Sequence, residues 1–110
     1  MAHSEAITII ENLMDNFAFT LVNEDETITG LTASTNCDSW GLDDSDVKAW
    51  FMGNGKIEFT ATLYLGGDQD PDKAMYGSEI EANVKGKAVD RNGTWSISEY
   101  EIVKAEIKLD

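Results

Sequence analysis

Positive charge is missing from the first part of this chain. Its 110 residues include 8 Lys and Arg against 21 Asp and Glu, which gives a formal net charge of −13. No Lys or Arg precedes Lys48, whereas ten acidic residues do. Binding to nucleic-acid phosphates needs several basic side chains, and an anionic membrane surface repels an acidic chain. We therefore expect no direct contact with nucleic acid and none with membranes.

Cysteine and histidine occur once each. Cys37 cannot form an internal disulfide, whereas small secreted domains usually carry an even set of cysteines. With His3 as the sole histidine, neither a Ser-His-Asp triad nor a zinc site can be assembled. The first residues lack the pattern of a signal peptide, and no apolar run is long enough to cross a membrane. We expect a cytoplasmic protein that is not an enzyme.

The length and composition are those of one globular domain. A chain of 110 residues fits a single acidic α+β domain spanning 1–110, which can bury a core without disulfides or metals. Hydrophobic residues make up 42% of the chain. That fraction and the aromatic content argue against disorder despite the high net charge.

The first half is predicted to contain helices at both ends and a hairpin between them. Ser4 can cap an amphipathic helix whose apolar face holds Ile7, Ile10, Leu13, Met14 and Phe17. Alternating and β-branched residues predict strands over 17–22 and 27–33, joined by a polar turn. A short helix is predicted from Asp44 or Ser45 to Phe51, ended by Gly53-Asn54-Gly55.

The second half is predicted to be mostly strand. Apolar and polar residues alternate from Lys56 to Leu65 and again from Ser78 to Asp90. Asn92-Gly93 indicates a tight hairpin turn, and two parity breaks in the last strand predict a bulge within 98–101. The predicted fold is an N-terminal amphipathic helix on a mainly antiparallel sheet of about five strands with one polar face, plus a short inserted helix.

One acidic segment has the spacing of calcium ligands. Counted from Asp68, carboxylates occupy positions 1, 3, 5 and 12 of an EF-hand loop; these residues are Asp68, Asp70, Asp72 and Glu79. Lys73 stands where that loop needs glycine, Pro71 stiffens it, and the flanks are predicted strands. A solvated acidic loop is the competing interpretation. No other cofactor is indicated.

Seven of the ten acids of the first half are the candidate partner-binding residues, together with one tryptophan that could anchor an interface or lie in the core. They are Glu24, Asp25, Glu26, Asp38, Trp40, Asp43, Asp44 and Asp46. An acidic field of this kind steers a protein toward a basic partner, although plain solubility also accounts for it.

Three functions are open at this stage. The first is a non-enzymatic inhibitor that mimics nucleic acid and occupies the basic surface of a nucleic-acid-binding enzyme; small anti-defence proteins of phages and mobile elements share this size and charge. The second is a calcium-stabilised module built on the Asp68–Glu79 loop. The third is a small carboxylate-dependent enzyme, for which no pair of acids can be singled out. The polar sheet face is either bare or part of a homodimer.

Overall fold

Three helices precede a four-stranded sheet. The computed structural model describes residues 3–35, 37–69 and 79–108. The helices are α1 (Ser4–Glu11), α2 (Met14–Glu24) and α3 (Glu26–Ala33). The strands are β1 (Cys37–Gly53), β2 (Lys56–Gln69), β3 (Glu79–Arg91) and β4 (Thr94–Lys108). The predicted α+β class, with an N-terminal helix packed on an antiparallel sheet, is confirmed.

Each strand pairs with its neighbours in the chain. The order is β1-β2-β3-β4 and all three pairings are antiparallel. One face of the sheet packs against the buried side chains of all three helices. We call this the inner face and the opposite one the outer face. The prediction of about five strands is wrong, because the described chain forms four.

The strict alternation predicted for β2 and β3 is confirmed. Every apolar residue at the odd positions of β2 from Ile57 to Leu65 is buried, and so are Ile80, Ala82, Val84 and Ala88 of β3. Burying alternate side chains on the inner face leaves the intervening polar ones outside. The core therefore lies between these central strands and the helices.

Two bulges keep β4 in phase with the sheet. Its register with β3 shifts between Lys87 and Ala88 and again between Asn83 and Val84. The unpaired residues opposite these points are Ser98 and Val103. Each bulge adds one residue and so returns the next apolar side chain to the inner face. The bulge at Ser98 lies where it was predicted.

Asn-Gly pairs close two hairpins. Asn92 and Gly93 have φ of 56° and 85°, and Asn54 and Gly55 have φ of 56° and 69°. Positive φ at both central residues defines the two-residue turn that suits twisted strands. The turn predicted at Asn92-Gly93 is confirmed. Gly53-Asn54-Gly55, predicted to end a helix, instead joins β1 to β2.

The strands predicted over 17–22 and 27–33 are wrong, because these residues are helical. Met14, Phe17, Ala18 and Leu21 are buried at helical spacing along α2. Asp25 ends α2 and caps α3, where its carboxylate accepts hydrogen bonds from the amides of Thr27 and Ile28. A short apolar run fits both the two-residue alternation of a strand and the 3.6-residue repeat of a helix. Packing of the helical stripe on the sheet decides between them.

The short helix predicted from Asp44 to Phe51 is also wrong, because this segment lies within β1. Val47 and Ala49 are buried on the inner face opposite Ala61 and Phe59 of β2. The spacing of Val47, Trp50 and Phe51 resembles a helical face, but pairing with β2 satisfies the backbone instead.

The N-terminal helix is anchored to the edge of the sheet by His3. The His3 amide donates to the carbonyl of Ala49 at 2.8 Å, and the Phe51 amide donates to His3 Nδ1 at 2.9 Å. Ser4 was predicted to cap the helix, but His3 is the N-cap and makes no side-chain capping bond. These two bonds cover backbone groups of β1 that would otherwise form an open sheet edge.

Candidate functional site

All charged side chains of the three helices are acidic; we call this part of the fold the helical layer. Between residues 4 and 33 there are six acids and no base: Glu5, Glu11, Asp15, Glu24, Asp25 and Glu26. All of them except Asp25 are exposed. By contrast, every Lys and Arg in the described part of the chain lies on a strand. The helices therefore form a surface of one charge sign.

Asp25 is occupied by contacts within the fold. Its Oδ1 accepts from the amides of Thr27 and Ile28 at 3.0 and 3.1 Å. Its Oδ2 accepts from the hydroxyl of Tyr100 on β4 at 2.8 Å. The same carboxylate thus caps α3 and ties it to the sheet. Glu24 and Glu26 lie exposed on either side and make up the accessible part of this predicted cluster.

Deprotonation of Tyr100 is expected to destabilise the protein above pH 10. Partial burial of the ring and the bond to Asp25 raise the pKa of Tyr100 from 10.0 to about 12. The folded protein holds this proton more tightly than the unfolded chain does. The stability that protonated Tyr100 contributes is therefore complete below its ordinary pKa and is lost as the pH rises through its pKa in the folded protein. Chemical denaturation at a series of alkaline pH values measures the effect.

Tyr100→Phe is the matched control for this pH dependence. The variant keeps the ring that packs edge-on against Phe17 at 5.0 Å but has no proton to lose. Its stability should therefore fall less steeply over the same alkaline range. Equal slopes for the two proteins would show that Tyr100 is not the group responsible.

Three of the predicted aspartates of β1, Asp43, Asp44 and Asp46, lie away from the helical layer. Asp44 pairs with Tyr64 and Asp46 with Thr62, which places both on the outer face. Asp43 is the extra residue of a bulge and extends over Gly66, where any Cβ would collide with its carboxylate. Asp38 belongs to β1, but its side chain lies outside the described part of the structure. The structure therefore divides the predicted acids between two faces of the sheet.

Trp40 is half-buried at the edge of the core. It pairs with Gly67, and a Cβ there would lie 2.9 Å from the indole Cε2. The indole Nε1 is buried and has no hydrogen-bond partner within the described chain. The predicted role as an exposed anchor remains a prediction, and the ring's packing against the core favours the structural alternative.

The exposed aromatic of the helical layer is Phe19. Its side chain is 70% exposed, whereas the predicted strand places it on the same side as Phe17 and Leu21, which are buried. It borders a groove of about 450 Å³ lined also by Val22, Thr32, Ala33, Cys37 and Trp40. A helical interpretation of 14–24 places Phe19 opposite the buried stripe, so the signal was present in the sequence.

The calcium-ligand prediction falls largely on residues outside the described ranges. Asp70 and Asp72 are among these residues. Asp68 lies one residue before the end of β2, and Glu79 is the first residue of β3. Ser39 Oγ donates to Asp68 Oδ2 at 3.1 Å. Within 3–35, 37–69 and 79–108, no group of three or more His, Cys, Asp or Glu is placed to hold a metal ion.

The enzyme hypothesis calls for a pocket lined by paired carboxylates. A groove of about 590 Å³ runs between α2 and β4, lined by Phe17, Trp95, Ile97 and Tyr100 among others. Glu99 supplies the single carboxylate of its described lining and forms an ion pair with Lys87 at 3.5 Å. Hydrolysis by paired carboxylates needs two such groups, so this groove lends that hypothesis no support. Another groove of about 390 Å³ has Glu58, Glu99 and Glu101 in its lining, but Glu99 and Glu101 form ion pairs with Lys87 and Lys85.

Comparison with known proteins identifies no relative of this chain. The chain matches no protein-family model, and no curated protein or solved structure is detectably similar to it. Separately, none of the described helices combines the length and apolar character needed to cross a membrane.

Proposed function

We propose that this protein is a non-enzymatic binding protein whose acidic helical layer occupies a basic surface of a partner protein. The observation that carries the proposal is the segregation of charge. Six acids and no base lie between residues 4 and 33, and none of these acids forms an ion pair within the described structure. Self-repulsion in such a surface costs folding free energy, which a basic partner relieves.

Phe19 supplies an anchor within this acidic surface. Asp15 and Asn23 lie one helical turn on either side of it, and the Asn23 side-chain amide donates to the Phe19 carbonyl at 2.7 Å. An exposed aromatic ring one helical turn from a carboxylate, that of Asp15, attracts Lys and Arg side chains through cation–π contacts as well as through charge. Aromatic residues of this kind often dominate the binding energy of an interface.

The partner that best fits this surface is a nucleic-acid-binding protein. Such proteins carry clustered Lys and Arg that contact phosphates. Carboxylates fixed on rigid helices can occupy the same positions, and long-range attraction between opposite fields speeds the encounter. In this proposal the protein blocks access of nucleic acid to its partner.

Removal of charge and of the anchor is expected to weaken partner binding. The binding variant combines Glu24→Gln, Glu26→Gln and Phe19→Ala, all at exposed positions, and leaves the structural Asp25 intact. Capture of partners from host lysate at low and high salt, followed by mass spectrometry, identifies the target. Affinity for that target, measured with purified proteins, should fall about 10- to 100-fold in the variant.

A second variant tests the other acidic group. Replacing Asp43, Asp44 and Asp46 by Asn removes the β1 charges while the helical layer keeps its own. If this variant loses affinity and the helical one does not, the outer face is the binding surface and the proposal is wrong. Equal affinity of both variants and the unaltered protein would mean that the acidic residues serve solubility alone. Thermal melts confirm that each variant is folded.

A further inference from the structure

The outer face of the sheet is polarised along its strands. The end nearest the two Asn-Gly turns has five bases and three acids among its paired residues, Lys48, Lys56, Lys85, Lys87 and Arg91 against Glu58, Glu99 and Glu101. The other end has six acids and two bases, Asp44, Asp46, Asp68, Glu79, Glu81 and Glu106 against Lys104 and Lys108. The net charges are therefore +2 and −4.

Ion pairs within the face leave this polarity in place. Lys85 pairs with Glu101 at 3.1 Å, and Lys87 with Glu99 at 3.5 Å. Lys108 contacts Glu81 at 3.3 Å and Glu106 at 2.9 Å. No ion pair involving Asp44, Asp46, Lys48 or Lys104 occurs within the described ranges, so charges of both signs stay available on one surface.

We propose that the outer face binds the outer face of a second copy of this chain. A two-fold axis that lies in the face and runs across the strands places the acidic end of one copy over the basic end of the other. An axis parallel to the strands would instead place acidic end on acidic end. Isologous interfaces require such self-complementarity, and like charges juxtaposed across an interface are costly. The charge pattern therefore selects the crosswise axis.

The strand register shows which residues of the two copies face each other in this dimer. With the axis between the rows of Asp46 and Lys48, Asp46 lies opposite Lys48 of the second copy, and Lys48 lies opposite its Asp46. In the same way Lys104 faces Glu101 of the second copy, which also contacts Lys85 of its own chain. Glu106 would face Glu99, but each of these already contacts a lysine of its own chain. Complementary contacts thus outnumber the repulsive one.

The extent of the outer face matches that of a specific interface. The 13 residues of β3 and the spacing of four strands correspond to about 43 by 19 Å, or about 800 Å² per copy, which is the standard size for a specific interface. Val103 is 60% exposed beside the axis, at the rim of a shallow depression of about 260 Å³. Thr60 and Thr62 of β2 also line this depression, together with the charged residues Asp46, Lys48 and Lys85 of the neighbouring strands.

Exchange of charge across the axis tests the dimer. Asp46→Lys and Lys48→Asp each place like charges opposite one another, whereas the double variant restores opposite charges because each residue faces the other across the axis. Sedimentation velocity at low salt should give a dimer for the unaltered protein. Each single variant should raise the dissociation constant about tenfold or more, and the double variant should return it to within about threefold.

Two controls make the outcome decisive. Asp15→Lys changes charge on the helical layer and should leave dimerisation unaltered, while Val103→Asp should abolish it without unfolding the domain. A monomer at every concentration, or a double variant as weak as the single ones, would overturn the proposal. So would a stable 1:1 complex between a monomer and a different protein that is lost in the Asp46→Lys variant. The variants testing partner binding by the helices lie on the other side of the sheet, so either proposal can fail alone.

Discussion

Replacement of Gly86 by alanine should destabilise the protein by about 3 kcal/mol. Gly86 faces the core at the middle of β3, where it pairs with Phe59 of β2 and Tyr100 of β4. A Cβ at this position would lie 2.6 Å from the backbone oxygen of Glu99 and 2.9 Å from Cζ of Phe59. The backbone oxygen belongs to the neighbouring strand and cannot move without disturbing the β4 bulge. There is no room for a Cβ at position 86, so only glycine fits there.

Urea denaturation followed by circular dichroism measures this loss. Gly30→Ala is the matched control, because no atom lies within 4 Å of the added Cβ on α3. Alanine should stabilise that helix by about 0.5–1 kcal/mol. Combining Gly86→Ala with Phe59→Leu removes the Cζ contact and should cost less than the two single losses added together. A Gly86→Ala variant as stable as the unaltered protein would contradict the close approach of β3 and β4.

Replacement of Asp25 by alanine should cost about 2 kcal/mol. The substitution removes the cap of α3 and leaves the hydroxyl of Tyr100 without its acceptor. Both effects arise from one carboxylate, which accepts hydrogen bonds from Thr27, Ile28 and Tyr100. Loss of these bonds should loosen α3 from β4 as well as shorten the helix.

Two conservative variants separate the parts of this effect. Asp25→Asn keeps an oxygen acceptor for the amides of α3 and should cost about 0.5 kcal/mol. Tyr100→Phe removes the tie to the sheet alone and should cost about 1 kcal/mol. Thermal unfolding of the three variants at neutral pH provides the comparison. A loss in Asp25→Ala no larger than in Asp25→Asn would mean that the cap contributes little to stability.

Sequence periodicity predicted the central strands because only one period fits them. From Ile57 to Leu65 the apolar residues alternate without interruption, and a helix would leave half of them exposed. From Phe17 to Ala33 both periods fit. There, β-branched residues such as Ile28 and Thr29 favoured strands locally, whereas burial of Met14, Phe17, Ala18 and Leu21 on one stripe fixed the helix. Tertiary packing decides such segments.

The wrong strand assignment also affected the prediction of the candidate site. The strand predicted over 17–22 puts Phe19 on the same side as Phe17, whereas the helix turns it toward solvent. The excess of acids was evident from the sequence, but its division between the helical layer and the outer face depends on the register of Asp44 and Asp46 with β2. The tie between Asp25 and Tyr100 joins residues 75 positions apart, and no local pattern reports a contact of that range.

The meander order of the strands has a consequence for folding speed. Each strand after the first pairs with the one that precedes it, and the Asn-Gly turns bring β1 to β2 and β3 to β4 with minimal loss of chain entropy. Pairing can therefore proceed outward from each turn without closing a long loop first. Sheets whose paired strands are neighbours in the chain require shorter loops to be closed than sheets built from distant strands, and this lowers the kinetic barrier to folding. A newly made chain should accordingly spend little time with its long, aggregation-prone strands unpaired.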